Sequence, residues 1–122
     1  MRKAFFVVSF CLILCLSGCQ QVTFDGSRTS NENQYIIEYR VLNKTDSAEL
    51  QLSEGDVVNV DIVSNSGKVD VMAKHSDGTE IYRGNNAITG SFKLEITRAG
   101  TYTFTVSGDN ANGSVRFIKE NK

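Results

Sequence analysis

The sequence contains no proline and a single histidine, and none of its three cysteines comes after position 19. A domain formed by the later residues therefore has neither a disulfide nor a cysteine-based metal site, so it must be stabilised by its own hydrophobic core. The one histidine, His75, would need a carboxylate and a facing hydroxyl for Ser-His-Asp chemistry, and no G-x-S-x-G turn is present. We therefore expect a non-enzymatic protein without a cofactor, in which His75 is a solvated residue at a strand end.

Clusters of basic residues are also missing. The whole chain has 13 Lys and Arg against 14 Asp and Glu, and the basic residues after position 20 are dispersed. Recognition of nucleic acid and binding to a membrane through a polybasic segment both need a dense group of positive charges. The sequence therefore predicts neither.

The first 18 residues differ in character from the rest. A short positive segment, Met1-Arg2-Lys3, precedes an apolar and uncharged run at positions 4–16. That run is too short for a permanent membrane-spanning helix, which needs about 20 residues. Its length and charged start are typical of a secretory signal. The alternative, a buried N-terminal helix, is disfavoured because the run is apolar on all sides.

The signal-like segment ends in Leu16-Ser17-Gly18-Cys19. These residues resemble the lipobox of bacterial lipoproteins, in which a branched apolar residue and two small residues precede a cysteine. The resemblance implies that Cys19 receives a diacylglyceryl group and becomes the N-terminus after cleavage. It also implies a lipid-anchored protein on the extracytoplasmic side of the cell membrane or the outer membrane.

Cleavage before Cys19 would divide the chain into three parts. Residues 1–18 form the signal peptide. Residues 19–33 are polar and show no hydrophobic period, so we expect them to form a flexible tether. From residue 34 onward apolar and polar residues alternate, and we place the folded domain at 34–122.

The alternation recurs in short segments that are separated by turn-forming residues. Strands spaced in this way are typical of an antiparallel sandwich or barrel. We therefore predict an all-β fold, an antiparallel β-sandwich of jelly-roll or immunoglobulin-like type with about 7 to 8 short strands. The residues predicted to face the core are Tyr35, Ile37, Tyr39 and Val41; Ala48, Leu50 and Leu52; Val58, Val60 and Ile62; Val69, Val71 and Ala73; Phe92, Leu94 and Ile96; Tyr102, Phe104 and Val106; and Val115 and Phe117.

Four loops predict hairpins in which apolar residues lie opposite apolar residues. The loops are at positions 65–66, 76–78, 98–100 and 108–113. The predicted opposite pairs are Val60 with Val71 across the first loop, Ala73 with Ile81 across the second, Leu94 with Phe104 across the third, and Val106 with Val115 across the fourth.

The first of these hairpins would place two carboxylates, Asp61 and Asp70, opposite each other on the outer face. Like charges in that position destabilise a sheet. Either a calcium-type cation or the adjacent Lys68 and Lys74 offset the repulsion, or both carboxylates are solvated. Calcium takes about 6 to 8 oxygen ligands, and only two carboxylates are evident, so the favoured interpretation is that no metal is bound.

Tyr82 lies outside the regular alternation, and Arg83, Asn85 and Asn86 follow it closely. An aromatic ring flanked by amides is able to stack on a sugar ring and to hydrogen-bond its hydroxyls. These residues are therefore a candidate patch for contact with a sugar or a peptide. The alternative, which the pattern favours, is ordinary packing of Tyr82 beneath the loop at 84–90.

From Gly55 to Phe117 the chain resembles small extracytoplasmic β-sandwich modules of the GOLD or CUB type. The resemblance lies in the succession of an S-D-G turn, an E-I-Y strand and a G-T-Y-T-F-T-V strand, and it implies a binding role. We therefore expect a membrane-anchored, non-catalytic module that binds a protein or a glycan of the cell envelope. The alternative is an inhibitor or protective factor that acts on a secreted hydrolase through one of its loops.

Overall fold

The computed structural model describes residues 22–121. These residues form seven strands in antiparallel pairs and no helix, which confirms the predicted all-β fold, and they contain no helix that could cross a membrane. The predicted signal peptide at residues 1–18 and the predicted lipidation site, Cys19, lie outside the described residues. The strands are β1 (Phe24–Ser30), β2 (Gln34–Leu42), β3 (Thr45–Leu52), β4 (Val57–His75), β5 (Glu80–Gly84), β6 (Gly90–Glu95) and β7 (Gly100–Lys119).

Two long strands organise the sheet. β4 has 19 residues and β7 has 20, and they pair antiparallel along most of their length. β6 pairs with the first half of β4 and β5 with its second half. β3 pairs with the first half of β7 and β2 with its second half, while β1 pairs with the outer side of β2. Each half of the long ribbon therefore has its own set of neighbours.

The long strands change phase at their midpoints. Buried residues of β4 have even numbers up to Ile62 and odd numbers from Val69, and β7 shows the same change. The pairing register shifts between Ser64 and Lys68, and such bulges bend a sheet. The two halves pack on each other as the layers of a sandwich, and Phe104 and Phe117 from opposite halves of β7 have ring centroids 4.6 Å apart. We call the bent middle, residues 63–68 and 108–113, the crest.

The core between the layers is apolar. Most residues predicted to face inward are buried, and only Val41, Phe92 and Leu94 among them are partly exposed. Leu42 is buried in place of the predicted Val41, because the pairing register of β2 with β7 shifts between Tyr39 and Leu42. One charged side chain is buried among the described residues: Asp56, whose carboxylate accepts the Ser53 N–H at 2.7 Å.

Three of the four predicted hairpins are wrong. Positions 65–66 and 108–113 are not turns but the crest, and β6 pairs with β4 instead of β7. The apolar period identifies the buried face of a strand but not its partner, and Val60 lies opposite both Phe92 and Phe117. The hairpin at 76–78 is confirmed, although a bulge after Ala73 sets that residue opposite Tyr82.

The predicted flexible tether is wrong for residues 24–30, because they form β1 and pair with β2. The strand is polar because it lies at an edge and is largely exposed, so it needs no hydrophobic period. The Arg28 guanidinium ties it to β3 by donating to Asp46 Oδ2 at 2.7 Å and to the Ser47 carbonyl oxygen at 2.8 Å. The fold therefore begins at β1, ahead of residue 34.

Candidate binding cleft

The loop at 85–89 joins β5 in one layer to β6 in the other, and both are edge strands on the same side of the sandwich. Beneath it lies a cleft of about 410 Å³. Ile62 and Phe92 contribute apolar surface to the cleft, Tyr82 contributes an aromatic ring, and Asn85 and Asn86 contribute amides. Every residue that lines the cleft is uncharged. The cleft therefore suits an uncharged ligand surface with both apolar and hydrogen-bonding groups.

Tyr82 and Phe92 form the aromatic part of the cleft. Their ring centroids are 4.7 Å apart and the ring planes are inclined at 42°. Both side chains are half-buried and pack against the core. A Cβ at Gly84 would meet the Tyr82 hydroxyl, so the side chain of Tyr82 lies directly against the backbone of that glycine. Tyr82 thus packs beneath the loop, as the favoured interpretation expected, and it also presents surface to the cleft.

Hydrogen bonds to β4 hold the loop at both ends. The Asn86 N–H donates to Asp70 Oδ1 at 2.7 Å, and the Ala87 N–H donates to a β4 carbonyl at 2.8 Å. At the other end Thr89 Oγ1 accepts the Ser64 N–H at 3.0 Å. Asn86 has a φ of 51°, a left-handed conformation that asparagine tolerates well. The protein's own hydrogen bonds therefore hold the loop in place, and a loop held in this way lowers the entropic cost of binding.

The predicted patch is only partly assembled. Tyr82, Asn85 and Asn86 line the cleft, but Arg83 does not. Alternate residues of a strand point to opposite faces, and the Arg83 side chain instead bonds Glu80 and the Met72 sulfur. Sequence reasoning assigned Phe92 to the core and missed its place in the cleft.

His75 is not solvated as predicted, since its side chain is 11% exposed. Its Nδ1 lies 3.0 Å from the Asp77 amide nitrogen, and its Nε2 lies 3.1 Å from the Ala99 carbonyl oxygen. The ring also meets Tyr102 edge-on, with centroids 4.9 Å apart. His75 therefore connects the β4–β5 turn to the β6–β7 loop. In the described contacts it meets no hydroxyl that would act as a nucleophile.

An ion pair stabilises the same turn. The Arg98 guanidinium lies 2.6 Å from the Asp77 carboxylate, which also accepts the Thr79 N–H at 2.9 Å. The hydrogen bond from Arg98, followed by that from Thr79, holds the pKa of Asp77 well below its usual range. These contacts fix the turn between β4 and β5.

The predicted juxtaposition of Asp61 and Asp70 is wrong, because the hairpin that implied it does not exist. Asp61 lies opposite Arg116 and accepts a hydrogen bond from the Ser91 hydroxyl. Asp70 instead accepts from the loop at 85–89. There is no carboxylate repulsion for a cation to offset. Residues 22–121 contain no group of three or more His, Cys, Asp or Glu that could hold a metal ion.

A groove of similar volume lies on the outer face of the layer formed by β6 and the first half of β4. Its polar side chains already have partners. Asp61 binds Ser91, and Lys93 Nζ lies 2.8 Å from a Glu120 carboxylate oxygen. A ligand would have to displace these contacts, so the cleft beneath the loop at 85–89 is the better candidate site.

The fold and cleft define a class: a small antiparallel β-sandwich module with an uncharged cleft between its edge strands β5 and β6. No protein-family model matches the chain, and no curated protein is significantly similar to it in sequence.

Solved structures match the fold. The periplasmic inhibitor of g-type lysozyme from Aeromonas hydrophila matches with a TM-score of 0.50 and 14% identity, over 83% of this chain and 92% of that chain. The pre-peptidase C-terminal domain of a Bacillus anthracis collagenase matches with a TM-score of 0.50 and 12% identity, over 83% and 100% of the chains. A carbohydrate-binding module of Cellvibrio mixtus lichenase 5A has a TM-score of 0.44 and 13% identity, over 85% and 90%. The first two similarities show the β-sandwich fold.

Proposed function

We propose that this protein is a non-catalytic binding module of the cell envelope, anchored by a lipid on Cys19, whose partner occupies the cleft between β5 and β6. The observation that carries the proposal is the cleft itself. It combines an aromatic pair, Tyr82 and Phe92, with an amide rim on a loop that is already ordered. The partner is an uncharged segment of an envelope protein or glycan.

Binding to isolated envelope material tests the cleft. The chain from Gln20 to Lys122 contains every described strand and is produced without Cys19. We expect it to bind purified envelope polysaccharides or immobilised envelope proteins, and Asn85→Ala, an exposed substitution, to weaken that binding about 5- to 30-fold, the loss of one or two hydrogen bonds. Thr103→Ala, on the outer face of the layer that contains β3 and outside the lining of the cleft, is the control. Binding that is equal in the two variants would exclude this cleft as the site.

The anchor is tested separately. Cys19→Ala is expected to release the protein from the membrane fraction without changing its thermal melting, because the first strand begins only at Phe24. A Cys19→Ala protein that stays in the membrane without an acyl group would contradict the lipid anchor.

The second candidate function is inhibition of a secreted hydrolase. Its support is that the fold is shared with a lysozyme inhibitor over most of this chain, and that a loop ordered in advance serves an inhibitor well. The assay measures cell-wall hydrolysis by g-type lysozyme with increasing amounts of the 20–122 chain. Unchanged hydrolysis at a large molar excess would reject inhibition of this enzyme and leave the envelope-binding proposal intact.

A further inference from the structure

One edge of the sandwich is formed by the crest, the turn at 43–44 and the loop at 85–89, and we call it the crest edge. We infer that the crest edge lies against the membrane surface, with Val22, Val63 and Ile88 at the lipid head groups. The inference rests on the proposed anchor at Cys19 and adds to it an orientation of the domain.

The first step is the reach of the chain. Only Gln20 and Gln21 separate Cys19 from Val22, and an extended chain spans at most about 3.6 Å per residue. The Val22 Cα therefore lies within about 11 Å of the Cys19 Cα, which the acyl chains hold at the head groups. From Thr23 onward the chain belongs to the fold, since the Thr23 carbonyl accepts the Asn43 N–H at 2.8 Å. The point at which the chain enters the fold is consequently close to the membrane.

The second step is that this entry point belongs to the crest edge. The Asn43 side chain accepts the Asn110 N–H at 3.2 Å, and Asn110 is part of the crest. Across the crest, the Asn65 amide donates to Asn112 Oδ1 at 3.0 Å. The same edge continues through Ser64 to the loop at 85–89. A line of hydrogen bonds thus crosses one edge of the sandwich, from the chain entry to the cleft loop.

The third step is the position of the exposed apolar residues. Among residues 22–121 the exposed large hydrophobic side chains are Val22, Val63 and Ile88, at 61%, 38% and 82%. Val22 adjoins the entry point, Val63 belongs to the crest, and Ile88 precedes the loop residue Thr89 that is bonded to Ser64. Ile88 also lines the cleft, so a partner in the cleft would lie beside the membrane surface. Single exposed apolar residues are common. Their confinement to the edge nearest the lipid anchor indicates a common partner, the membrane surface.

The polar residues of this edge are compatible with that partner. The charged side chains of the crest and its neighbouring turn are Lys44, Lys68 and Asp109, so the edge is not acidic and anionic head groups do not repel it. The opposite edge carries the turns that follow β1, β3, β4 and β6. It lies about 25 Å away, at about 3.3 Å per residue along the first half of β4.

The test uses the lipidated full-length mature protein in phosphatidylcholine–phosphatidylglycerol vesicles. With Cys19 acylated, an added cysteine is the only free thiol. Ile88→Cys and Val63→Cys carry an environment-sensitive fluorophore, and Ala99→Cys at the opposite edge is the control. We expect a blue shift at 63 and 88, and quenching by head-group-labelled lipid several-fold stronger there than at 99. Equal quenching at 88 and 99, or an aqueous signal at 88, would overturn the orientation.

Retention on the vesicles separates this inference from the anchor. A protein that fails to stay on the vesicles overturns both. A protein that stays, with Ile88 in water, overturns the orientation alone and leaves Ile88 free for a protein partner. Insertion of a flexible Gly-Ser segment of about 15 residues after Gln21, which reaches on the order of 20 Å, is expected to reduce quenching at 88 without reducing retention. Unchanged quenching would show that the short reach from Cys19 does not set the orientation.

Discussion

Tyr35 and Tyr39 lie four residues apart on β2, and both are buried, at 0% and 5% exposure. Their hydroxyls differ in their contacts. The Tyr35 hydroxyl donates to Asp46 Oδ2 at 2.5 Å, and the Arg28 guanidinium lies 5.4 Å from the ring centroid. The Tyr39 hydroxyl is buried and has no hydrogen-bond partner among residues 22–121. Replacement by phenylalanine therefore removes a hydrogen-bonded hydroxyl at Tyr35 and an unpaired hydroxyl at Tyr39.

The two substitutions are expected to change stability in opposite directions. A hydrogen bond to a charged group contributes about 1.5 to 3 kcal/mol, and an unpaired buried polar group costs about 1 to 3 kcal/mol. Tyr35→Phe should thus lower the free energy of unfolding by about 2 kcal/mol, and Tyr39→Phe should raise it by about 1 kcal/mol. In a domain of this size, 1 kcal/mol corresponds to about 4 to 8 °C in Tm.

Alkaline pH provides a second measure of the same two hydroxyls. Burial raises the pKa of Tyr39 to about 12, and burial together with the bond to Asp46 raises the pKa of Tyr35 further. The unfolded chain releases these protons near pH 10 while the folded chain keeps them, so their contribution to stability is complete below pH 10 and is lost as pH rises. Each tyrosine removes about 1.4 kcal/mol of stability per pH unit above that point.

Urea denaturation at pH 8 and at several values between pH 10 and 12 checks both expectations. Between pH 10 and 12 the loss of stability with pH should be smaller by about 1.4 kcal/mol per unit in Tyr39→Phe than in the wild-type protein. A Tyr39→Phe protein that is clearly less stable at pH 8 would show that the Tyr39 hydroxyl has a hydrogen-bond partner in solution. An unchanged slope above pH 10 would show that burial does not raise the pKa of Tyr39.

Three further predictions concern backbone and surface contacts. Gly67, in the crest, has a φ of 72°, and a Cβ there would collide with the facing strand, so Gly67→Ala should cost about 3 kcal/mol in urea denaturation, whereas Gly90→Ala meets open space and should change little. Arg28→Ala should cost about 1 kcal/mol and speed hydrogen exchange in β1; unchanged exchange would contradict its role in holding that strand. The lowered pKa of Asp77 stabilises above about pH 4, and the benefit is lost in acid. Arg98→Ala should weaken this acid dependence in thermal melts; an identical pH profile would contradict it.

The hydrophobic period predicted which face of each strand is buried, but it did not predict which strands pair. Val60 and Phe117 were both assigned to the core, and both are fully buried. Their direct opposition joins residues far apart in the chain, and a local turn signal contains no information about such a pair. The partner of a strand depends on the packing of the whole sandwich.

The crest shows how one pattern admits two structures. The change from even to odd buried positions between Ile62 and Val69 requires an extra residue, which a turn or a bulge supplies equally well. Asn65 and Ser66 are good turn formers, and this favoured a hairpin. The structure has bulges instead, because the continuous strand keeps its hydrogen bonds to β7 through the bend.

The candidate cleft could be predicted only in part, for a related reason. Tyr82, Asn85 and Asn86 were identified because they are adjacent in sequence and break the alternation. Phe92 and the Asp70 carboxylate that holds the loop come from other strands, and only the fold brings them to the same place. Ile88 has no sequence signal at all, since its 82% exposure depends on how the loop is held.

Residues 22–121 contain no cysteine and therefore no disulfide, so the crest is a main connection between the two layers. In a sandwich whose strands all end at the layer boundary, the layers are joined only by loops. Here β4 and β7 run through both layers and stay hydrogen-bonded to each other across the bend, so separation of the layers requires disruption of the longest pairing in the fold. The same edge receives the chain from Cys19. With the anchor proposed at Cys19, a force on the lipid would enter the domain at Thr23 and Asn43, beside the longest strand pairing of the described fold.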